Sequence, residues 1–550
     1  MKYRAIFDDI DELDEEQDTP GLSSRQKNLI IFGIIALVLN LLAVIYVNLC
    51  REIYYWSNAD YWNVARKIAS GEYSGHLWST VYDSILNSEF NDIPALISAV
   101  FIRLFGESRM VFILSLVNCY LLPADILIYL TAKKLGKAPL ITTLIVIFTM
   151  PVMIYLTFNG FTEMGGFLMC MLCFYLYFRK DEKEPGVGHQ IAIGLLLAAL
   201  MLWNNWFLFF SVSFVTAMLA DAILFRKKWY MCLIALAVMI ATVSFFFEGF
   251  MFRRLIAAYG NGSFHFRFAL NMRMITRYLG LIFLLLMAAG SLWAMIKHRD
   301  RRPVFVWIQL IVCYLVFTAT QTHGQGHLLM YVPGFIVLLI LTVRYIHKEQ
   351  ALLGICLLAV IHATNVVIPH KQPSSAEEIR HCALFPNFSM RPVIRESAYD
   401  ILTLKTTLDN IVPAGQYLGV LSYSNILNSE LLKNAEPSLN IHQYRVDYIA
   451  NTIPYFDLDN TDINPLCNAN YMLVAYPAQT VREDQKVLET AVESFANWTD
   501  IATAYEEMYE YETVIDNVSI KLYHRVRDVS ELEKAQFIRR MKDNINAVNQ

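Results

Sequence analysis

Three carboxylates in this sequence lie at the edges of long apolar segments. Asp60 follows the first such segment, Asp92 stands two residues before Pro94, and Glu163 lies near the start of the fourth segment. A positioned carboxylate can act as a general base toward a hydroxyl group, and an ionisable residue beside a membrane segment is costly enough to suggest a function. Each of the three could instead cap a helix or form part of a turn, and both interpretations remain open.

Aromatic side chains surround the first of these carboxylates. The segment around Asp60 contains Tyr55, Trp56, Tyr61 and Trp62. Such rings either occupy the interface between membrane and water or stack on the face of a sugar. The sequence therefore predicts a carboxylate flanked by aromatic side chains, an arrangement suited to binding a sugar or an acceptor at the membrane surface.

A positively charged segment follows the seventh apolar segment. It contains five arginines and no lysine: Arg253, Arg254, Arg267, Arg273 and Arg277. Guanidinium groups bind phosphate oxygens in a bidentate manner, so this composition favours recognition of a phosphate over general surface charge. The alternative is that these arginines simply extend their charged heads from the ends of membrane segments.

A third polar cluster precedes the tenth apolar segment. His323 and His327 are four residues apart, and Tyr331 follows four residues later. This spacing could bind a divalent metal, but Gly324 and Gly326 disfavour a rigid helix and no third ligand lies nearby in the sequence. We therefore favour hydrogen bonding to a phosphate or a sugar, with a metal as the open alternative.

Composition identifies the environment that these residues occupy. Among 550 residues, 56% are apolar and only 17% are charged, with a mean hydropathy of +0.39. Soluble proteins have about 45–50% apolar and about 25% charged residues, so the chain is predicted to be an integral membrane protein. Eleven spans are predicted, near residues 28–48, 109–132, 138–157, 161–178, 190–205, 206–225, 229–247, 276–296, 304–321, 328–345 and 350–368.

The distribution of basic residues predicts the orientation of these spans. Lys and Arg concentrate in cytoplasmic loops, and the basic loops here follow even-numbered spans, as at 132–137 and 297–302. The acidic tail 1–27 is then cytoplasmic, and the loop 49–108 is external. The apolar stretch 93–106 within this loop is too short to span, so it predicts a helix at the membrane interface.

The last part of the chain, residues 371–550, has the composition of a soluble domain. It contains 25 acidic and 16 basic residues and no further spanning segment. Strands are predicted at 417–423, 470–476 and 519–525, and helices at 484–498 and 531–545. We predict a small α/β domain outside the cytoplasm, and its acidic balance does not favour nucleic acid as a partner.

Several familiar motifs do not occur in the sequence. A Walker loop, a dinucleotide-binding glycine pattern after a strand, HExxH and GxSxG are all missing. Transport driven by nucleotide hydrolysis and the common soluble hydrolase mechanisms therefore lose support. If the protein performs chemistry, we expect that chemistry in the external loops.

The order of motifs in the first external loop resembles a known family. Asp60-Tyr-Trp is followed by Ala65-x-x-Ile-Ala-x-Gly, then by Pro94-x-Leu, by LFGES at 104–108 and by the second span. This order is similar to that of the GT-C type polytopic glycosyltransferases, particularly the aminoarabinose transferase and protein O-mannosyltransferase branch. The resemblance implies an all-α membrane domain over residues 28–370, followed by the small α/β domain.

The resemblance also implies a reaction and its participants. Enzymes of this family take a sugar from a polyprenyl-phosphate carrier and pass it to a glycan, lipid or protein outside the cytoplasm. Asp60 corresponds to the acidic residue that acts at the acceptor, Glu163 to a second acid, and the segment around His327 to a polar segment near the lipid phosphate. Two alternatives remain: a polytopic transporter or lipid flippase, and a catalytically inactive scaffold of the same fold.

Overall fold

The structure of the protein is a computed structural model. It describes residues 24–54, 57–87, 91–178, 186–225, 229–246, 267–346, 349–370, 379–435, 449, 463–480 and 486–548. The predicted acidic tail therefore lies almost entirely outside the described residues.

The chain forms two compact units. The first contains the described residues up to Asn48 and those between Tyr61 and Pro392. The second contains Leu49–Asp60 and the described residues from Val393 onward. Residues 379–392, which the sequence analysis grouped with the soluble domain, thus belong to the first unit, because they bind the ends of its helices as described below.

The described helices up to residue 370 include those of the predicted spans and those of the loop 49–108. They are α1 Ser24–Leu49, α2 Ser57–Ser70, α3 Leu77–Asn87, α4 Leu96–Phe105, α5 Arg109–Leu116, α6 Leu122–Leu135, α7 Pro139–Thr149, α8 Val152–Phe158, α9 Met164–Tyr177, α10 Val187–Trp203, α11 Phe207–Leu224, α12 Trp229–Phe246, α13 Phe268–Leu279, α14 Leu281–His298, α15 Arg302–Thr320, α16 Val332–Val343 and α17 Glu349–Val367. A short π-helical segment, Val117–Leu121, joins α5 to α6.

Six helices of the described chain are long and apolar enough to cross a membrane, or seven if α7 and α8 form one span bent by 63°. Four shorter apolar helices, α9, α10, α12 and α16, occupy the remaining predicted segments. Large apolar side chains on the outside, such as Leu37, which is 70% exposed, suit contact with lipid. The prediction of a polytopic all-α membrane domain is confirmed.

One predicted span begins too early. The segment predicted at 276–296 is divided at Gly280, where the amphipathic helix α13 ends and the apolar helix α14 begins. Gly280 has a φ of 82°, a conformation that favours glycine. Arg277 consequently lies in α13 and not in the membrane span.

The loop 49–108 contains a short apolar helix, α4, at the position where an interfacial helix is predicted. In α4, Val100 and Leu104 are exposed, whereas Ser98 is buried and its hydroxyl lies 2.7 Å from that of Ser115 in α5. One face of α4 therefore packs on the protein, and the other presents apolar side chains.

The second unit is a small α/β fold, as predicted. Its described helices are α18 Ala398–Ile411, α19 Ser429–Asn434, α20 Asn464–Asn468, α21 Lys486–Asn497 and α22 Glu531–Val548, and its strands are β1 Leu418–Leu421, β2 Tyr471–Tyr476, β3 Tyr505–Glu507, β4 Thr513–Ile515 and β5 Val518–Arg525. The strand order is β1-β2-β5-β3, with β4 also paired to β5. Only β1 and β2 are parallel among these pairs. Alternate residues of β2 enter hydrophobic cores on opposite faces, Met472 in one and Leu473 in the other.

Candidate active site

The turn between α8 and α9 carries Glu163. This turn is held at its start by Asn159, whose side-chain oxygen accepts a hydrogen bond of 3.0 Å from the Tyr46 hydroxyl. Thr162 and Glu163 follow, both buried. Glu163 occupies the position before α9 but makes no capping hydrogen bond with its side chain. The Thr162 hydroxyl and Glu163 Oε2 are buried without a hydrogen-bond partner among the described residues.

Glu163 faces the turn that contains the two histidines. A Cβ atom placed on Gly326 would lie 3.2 Å from Glu163 Oε1 and 3.3 Å from the Phe161 ring. This spacing is tighter than most contacts of a real Cβ atom, so the absence of a side chain at 326 permits the approach. The structure thus brings together two groups of predicted site residues that are about 160 residues apart in the sequence.

The histidine turn is fixed by hydrogen bonds from two directions. Asn271 in α13 accepts a hydrogen bond of 2.9 Å from the His323 backbone N–H and donates to the Gln321 carbonyl at 3.0 Å. His323 Nε2 lies 2.7 Å from the Tyr331 hydroxyl. His327 Nδ1 accepts a hydrogen bond of 2.8 Å from the Gly324 N–H, which leaves the proton of a neutral ring on Nε2.

Burial keeps both imidazoles neutral. It lowers the pKa of His327 from about 6.5 to about 4, and it lowers the pKa of His323 well below its usual range, with a smaller contribution from the neighbouring histidine. At neutral pH the two rings therefore act as hydrogen-bonding groups and not as cations.

A third turn, between α10 and α11, contacts both of the other turns. Trp203 Nε1 donates a hydrogen bond of 3.2 Å to the Thr162 carbonyl, and the Trp206 ring lies edge to face against His327, with centroids 4.7 Å apart. Asn205 Oδ1 and Trp206 Nε1 are further buried atoms with no partner in the described chain. The segment Trp203–Trp206 is therefore part of the candidate site.

Tyr120 is a site residue that the sequence analysis missed. Its ring packs edge to face on Trp203 with centroids 5.6 Å apart, and its buried hydroxyl has no partner within the described part of the chain. Tyr120 lies in the π-helical segment, and such insertions are frequent at functional sites. Nothing in the local sequence signals this conformation, because the residues there have ordinary apolar helical patterning.

The three turns together offer donors and acceptors of complementary kinds. Six side chains on or beside them have a buried polar atom with no partner among the described residues: Tyr120, Thr162, Glu163, Asn205, Trp206 and His323. Buried polar groups in proteins are nearly always hydrogen-bonded, so a cluster of unpaired ones indicates that a polar ligand completes them. Hydroxyls, one carboxylate, one amide oxygen and one indole N–H are groups suited to the hydroxyls of a sugar.

The other two predicted carboxylates occupy different surroundings. Asp60 lies in the first turn of α2, partly exposed, and belongs to the second compact unit. Asp92 is buried before a short 3₁₀ turn, and its N–H donates a hydrogen bond of 3.0 Å to the Ser84 hydroxyl. Burial raises the pKa of Asp92, against the opposing attraction of Lys67. The neighbouring Asn91 donates to the Trp203 carbonyl at 3.2 Å, which places Asp92 beside the third turn.

The structure describes two of the four aromatic residues that were predicted to bind the sugar or the acceptor. Tyr55 and Trp56 lie outside the described residues. Tyr61 is buried, and its hydroxyl accepts a hydrogen bond of 3.0 Å from the Asn204 side chain. Trp62 is also buried and packs against Phe112. Stacking of these rings on a sugar stays a prediction.

The arginine set divides into three parts. Arg253 and Arg254 lie outside the described residues. Arg267 is exposed at the start of α13. Arg273 donates a hydrogen bond of 3.2 Å to the Ile379 carbonyl, and Arg277 is buried in α13. A phosphate-binding role for these arginines also remains a prediction.

A metal centre is not evident in the residues that the structure describes. No group of three or more His, Cys, Asp or Glu side chains there is placed to hold a metal ion. His323 Nε2 and His327 Nδ1 each take part in a hydrogen bond within the turn.

The fold is that of the GT-C membrane glycosyltransferases, as the sequence resemblance implied. The crystal structure of ArnT from Cupriavidus metallidurans in the apo state aligns with 91% of this chain and 98% of its own, with a TM-score of 0.55 and 11% identity. The same protein bound to undecaprenyl phosphate aligns with 90% and 97% of the two chains, with a TM-score of 0.52 and 10% identity. ArnT is an aminoarabinose transferase.

A more distant structural likeness involves an oligosaccharyltransferase from Archaeoglobus fulgidus in complex with zinc and sulfate. It has a TM-score of 0.41 and 10% identity, and the alignment covers 80% of this chain and 67% of that one. No family model and no curated protein sequence matches this chain.

Proposed function

We propose that this protein is a glycosyltransferase of the plasma membrane that moves a sugar from a polyprenyl-phosphate donor to an acceptor outside the cytoplasm. The observation that carries the proposal is the cluster of unpaired buried polar atoms on three contacting turns of a GT-C fold. The complex of the structurally similar ArnT with undecaprenyl phosphate supports a polyprenyl phosphate as the donor carrier.

In the proposed reaction the acceptor hydroxyl attacks the anomeric carbon of the donor sugar. Asp60 orients this hydroxyl or takes its proton, the bond between the anomeric carbon and the phosphate oxygen breaks, and polyprenyl phosphate leaves. The configuration at the anomeric carbon inverts. Glu163 is the second acid and hydrogen-bonds the sugar, while Asp92 is kept as the alternative second carboxylate.

The departing phosphate gains negative charge, and electrostatic stabilisation of that charge is expected to be a large part of catalysis. We assign this role to the external arginines, including Arg253 and Arg254, and to hydrogen bonds from His323, His327 and Tyr331. A divalent metal is a possible addition that the proposed mechanism does not require. The acceptor is a glycan, a lipid or a protein.

Transfer by the purified protein tests the proposal. The full chain, in detergent or lipid nanodiscs, is incubated with polyprenyl-phosphate sugars and candidate acceptors, and the glycosylated product is measured. We expect Asp60→Asn to lower kcat by about 10²-fold or more, as for loss of a general base. Asp83→Asn is the matched control, because Asp83 is an exposed acid of the same external loop. Equal activity of the Asp60→Asn and Asp83→Asn variants would contradict the role of Asp60.

The same preparation distinguishes the alternatives. A transporter or flippase would move polyprenyl-linked sugars across the bilayer of a proteoliposome without forming a glycosylated product. An inactive scaffold would bind the lipid and show neither transfer nor movement.

A further inference from the structure

An extended segment crosses the ends of several membrane helices on its way to the second unit. We call residues 379–392 the strap. Its backbone hydrogen-bonds to the start of α14, where the Leu281 and Ile282 N–H groups donate to the carbonyls of Ala383 and Leu384 at 2.8 and 3.1 Å. The first N–H groups of a helix have no partner within the helix, so the strap supplies partners that α14 would otherwise lack.

The strap is also bound to α13 and α17. The Asn387 N–H donates a hydrogen bond of 2.7 Å to the Arg277 carbonyl, and the Met390 N–H donates one of 2.8 Å to the Val366 carbonyl. The Ala383 N–H donates to the Thr276 hydroxyl at 3.1 Å. Hydrogen bonds to three helices fix the strap along its length.

One side chain of the strap is completely buried. Phe388 has an exposed fraction of 0%, and its ring centroid lies 4.8 Å from that of Tyr155 and 5.1 Å from that of Tyr278. The two tyrosines belong to α8 and α13, so Phe388 is wedged between these two helices.

Both helices contact the turns of the candidate site. Tyr155 precedes the Glu163 turn by one helical turn, and its carbonyl accepts a hydrogen bond of 2.8 Å from Asn159 Nδ2. Its hydroxyl donates to Gln325 Oε1 at 3.5 Å, beside the glycine that faces Glu163. Tyr278 lies in the helix whose Asn271 holds the backbone of His323.

We propose that the strap is a positioning element of the site, and that Phe388 is the positioning residue through which it sets the distance between the Glu163 turn and the histidine turn. Its effect on catalysis rests on the proposed function, but its effect on the site geometry does not. Displacing reacting groups by about 1 Å can cost about 10²-fold in rate, so a wedge of this kind affects turnover without touching substrate.

Kinetics of strap variants test this proposal. Phe388→Ala is expected to lower kcat by about 10- to 100-fold, and Phe388→Leu, which keeps a large apolar side chain, to restore kcat to within about 3-fold of the native protein. Phe174→Ala is the matched control, because Phe174 is an equally buried ring in α9, ten residues and about 15 Å from the start of that helix. An equal loss of kcat in Phe388→Ala and Phe174→Ala would show that Phe388 has only a structural role.

A spectroscopic measurement tests the geometry without relying on activity. The full chain is labelled with 5-fluorotryptophan, and the ¹⁹F resonance of Trp206 is assigned with Trp206→Phe. We expect Phe388→Ala to shift this resonance, Phe388→Leu to shift it less, and Phe174→Ala to leave it in place. An unshifted Trp206 resonance in folded Phe388→Ala would overturn the inference, even if the native protein proves to lack transferase activity.

If Phe388→Ala does not fold, Phe388→Val, which keeps less of the apolar volume than leucine does, replaces it in the spectroscopic measurement. A shifted Trp206 resonance in folded Phe388→Val supports the strap as a positioning element, and an unshifted one overturns it.

Discussion

At the scale of single residues, two features define the candidate site: buried polar atoms without a hydrogen-bond partner among the described residues, and a glycine that allows a carboxylate to approach closely. Glu163 Oε2 is buried and unpaired within the described chain, and Gly326 faces the other oxygen of the same carboxylate. A buried acceptor without a hydrogen-bond donor destabilises the folded protein, unless a bound ligand supplies the donor. Glu163 is therefore better explained by binding than by helix capping.

The contact between Gly326 and Glu163 gives a direct prediction. Gly326→Ala is expected to lower transfer activity by about 10-fold or more, because the new methyl group would lie 3.2 Å from Glu163 Oε1 and must displace it. Gly324→Ala is the control, since a Cβ atom there meets only the His327 ring, at 3.5 Å from Nδ1 and 3.6 Å from Cε1, which are ordinary contacts. The measurement is kcat and KM of both variants, and equal values for the two would argue against this contact as a determinant of the site.

The buried histidines predict how stability depends on pH. The pKa of His327 is lowered to about 4 in the folded protein and returns to about 6.5 on unfolding. The unfolded chain therefore binds a proton that the folded chain does not, so this residue makes the protein less stable as the pH falls from about 6.5 to about 4.

This dependence is measured as the Tm at pH 7 and at pH 5. His327→Asn, whose amide oxygen can still accept from the Gly324 N–H, is expected to show a smaller fall in Tm than the native protein. His76→Asn changes an exposed histidine and is expected to leave the fall unchanged. A native-sized fall in His327→Asn would contradict the assignment.

At the scale of elements, the site is made by the ends of helices and not by their middles. The three turns follow α8, α10 and α15, and each is fixed by a neighbouring helix end. Asn271 shows how this works, since one buried amide in α13 binds Thr318, Gln321 and His323. Helices that end in polar turns at one face of a bundle can place buried polar groups there without interrupting the apolar spans.

Removal of this amide is expected to loosen the histidine turn. Asn271→Ala leaves the His323 N–H and the Gln321 carbonyl without their partner, which should destabilise the protein by about 1–3 kcal/mol. Thermal unfolding in detergent should then give a Tm lower by several degrees than that of Asn410→Ala, a change at an exposed position of α18. Identical Tm values for these two variants would contradict a structural role for Asn271.

At the scale of the whole molecule, the order of spans and loops predicts which segments share a side of the membrane. The candidate site lies on turns that follow odd-numbered spans, whereas the basic segments 132–137 and 297–302 follow even-numbered ones. By the distribution of Lys and Arg, we propose that the site is external and that the basic segments and the N-terminus are cytoplasmic.

Cysteine labelling tests this orientation. Cys382 is exposed in the strap, so a membrane-impermeant maleimide applied to the outer face of right-side-out vesicles should label it. Lys297 is exposed at the end of α14 and belongs to the basic segment that we propose to be cytoplasmic. In a Cys382→Ser background, Lys297→Cys should therefore react only after the vesicles are opened. The reverse pattern would place the site in the cytoplasm and would rule out an external acceptor.

Much of the fold could be predicted from the sequence because its signals are local. Apolar segments of sufficient length predicted the membrane helices, and short apolar stretches predicted β1, β2 and β5. The importance of Glu163 and His323 could also be inferred locally, since polar residues at the edges of spans are costly. The division at Gly280 was missed because Tyr278 and Leu279, at the end of α13, extend the apolar run of α14 along the sequence.

The sequence by itself therefore determined that this is a polytopic membrane protein with a small α/β domain, together with most of its helices and three of its strands, and it predicted several residues of the candidate site. Only the tertiary structure decided that the Glu163, Trp203 and His323 turns meet, that Tyr120 belongs with them, and that the strap packs on the membrane helices. The physical reason is that patterning depends on neighbours along the chain, whereas these contacts depend on packing between segments that are tens to hundreds of residues apart.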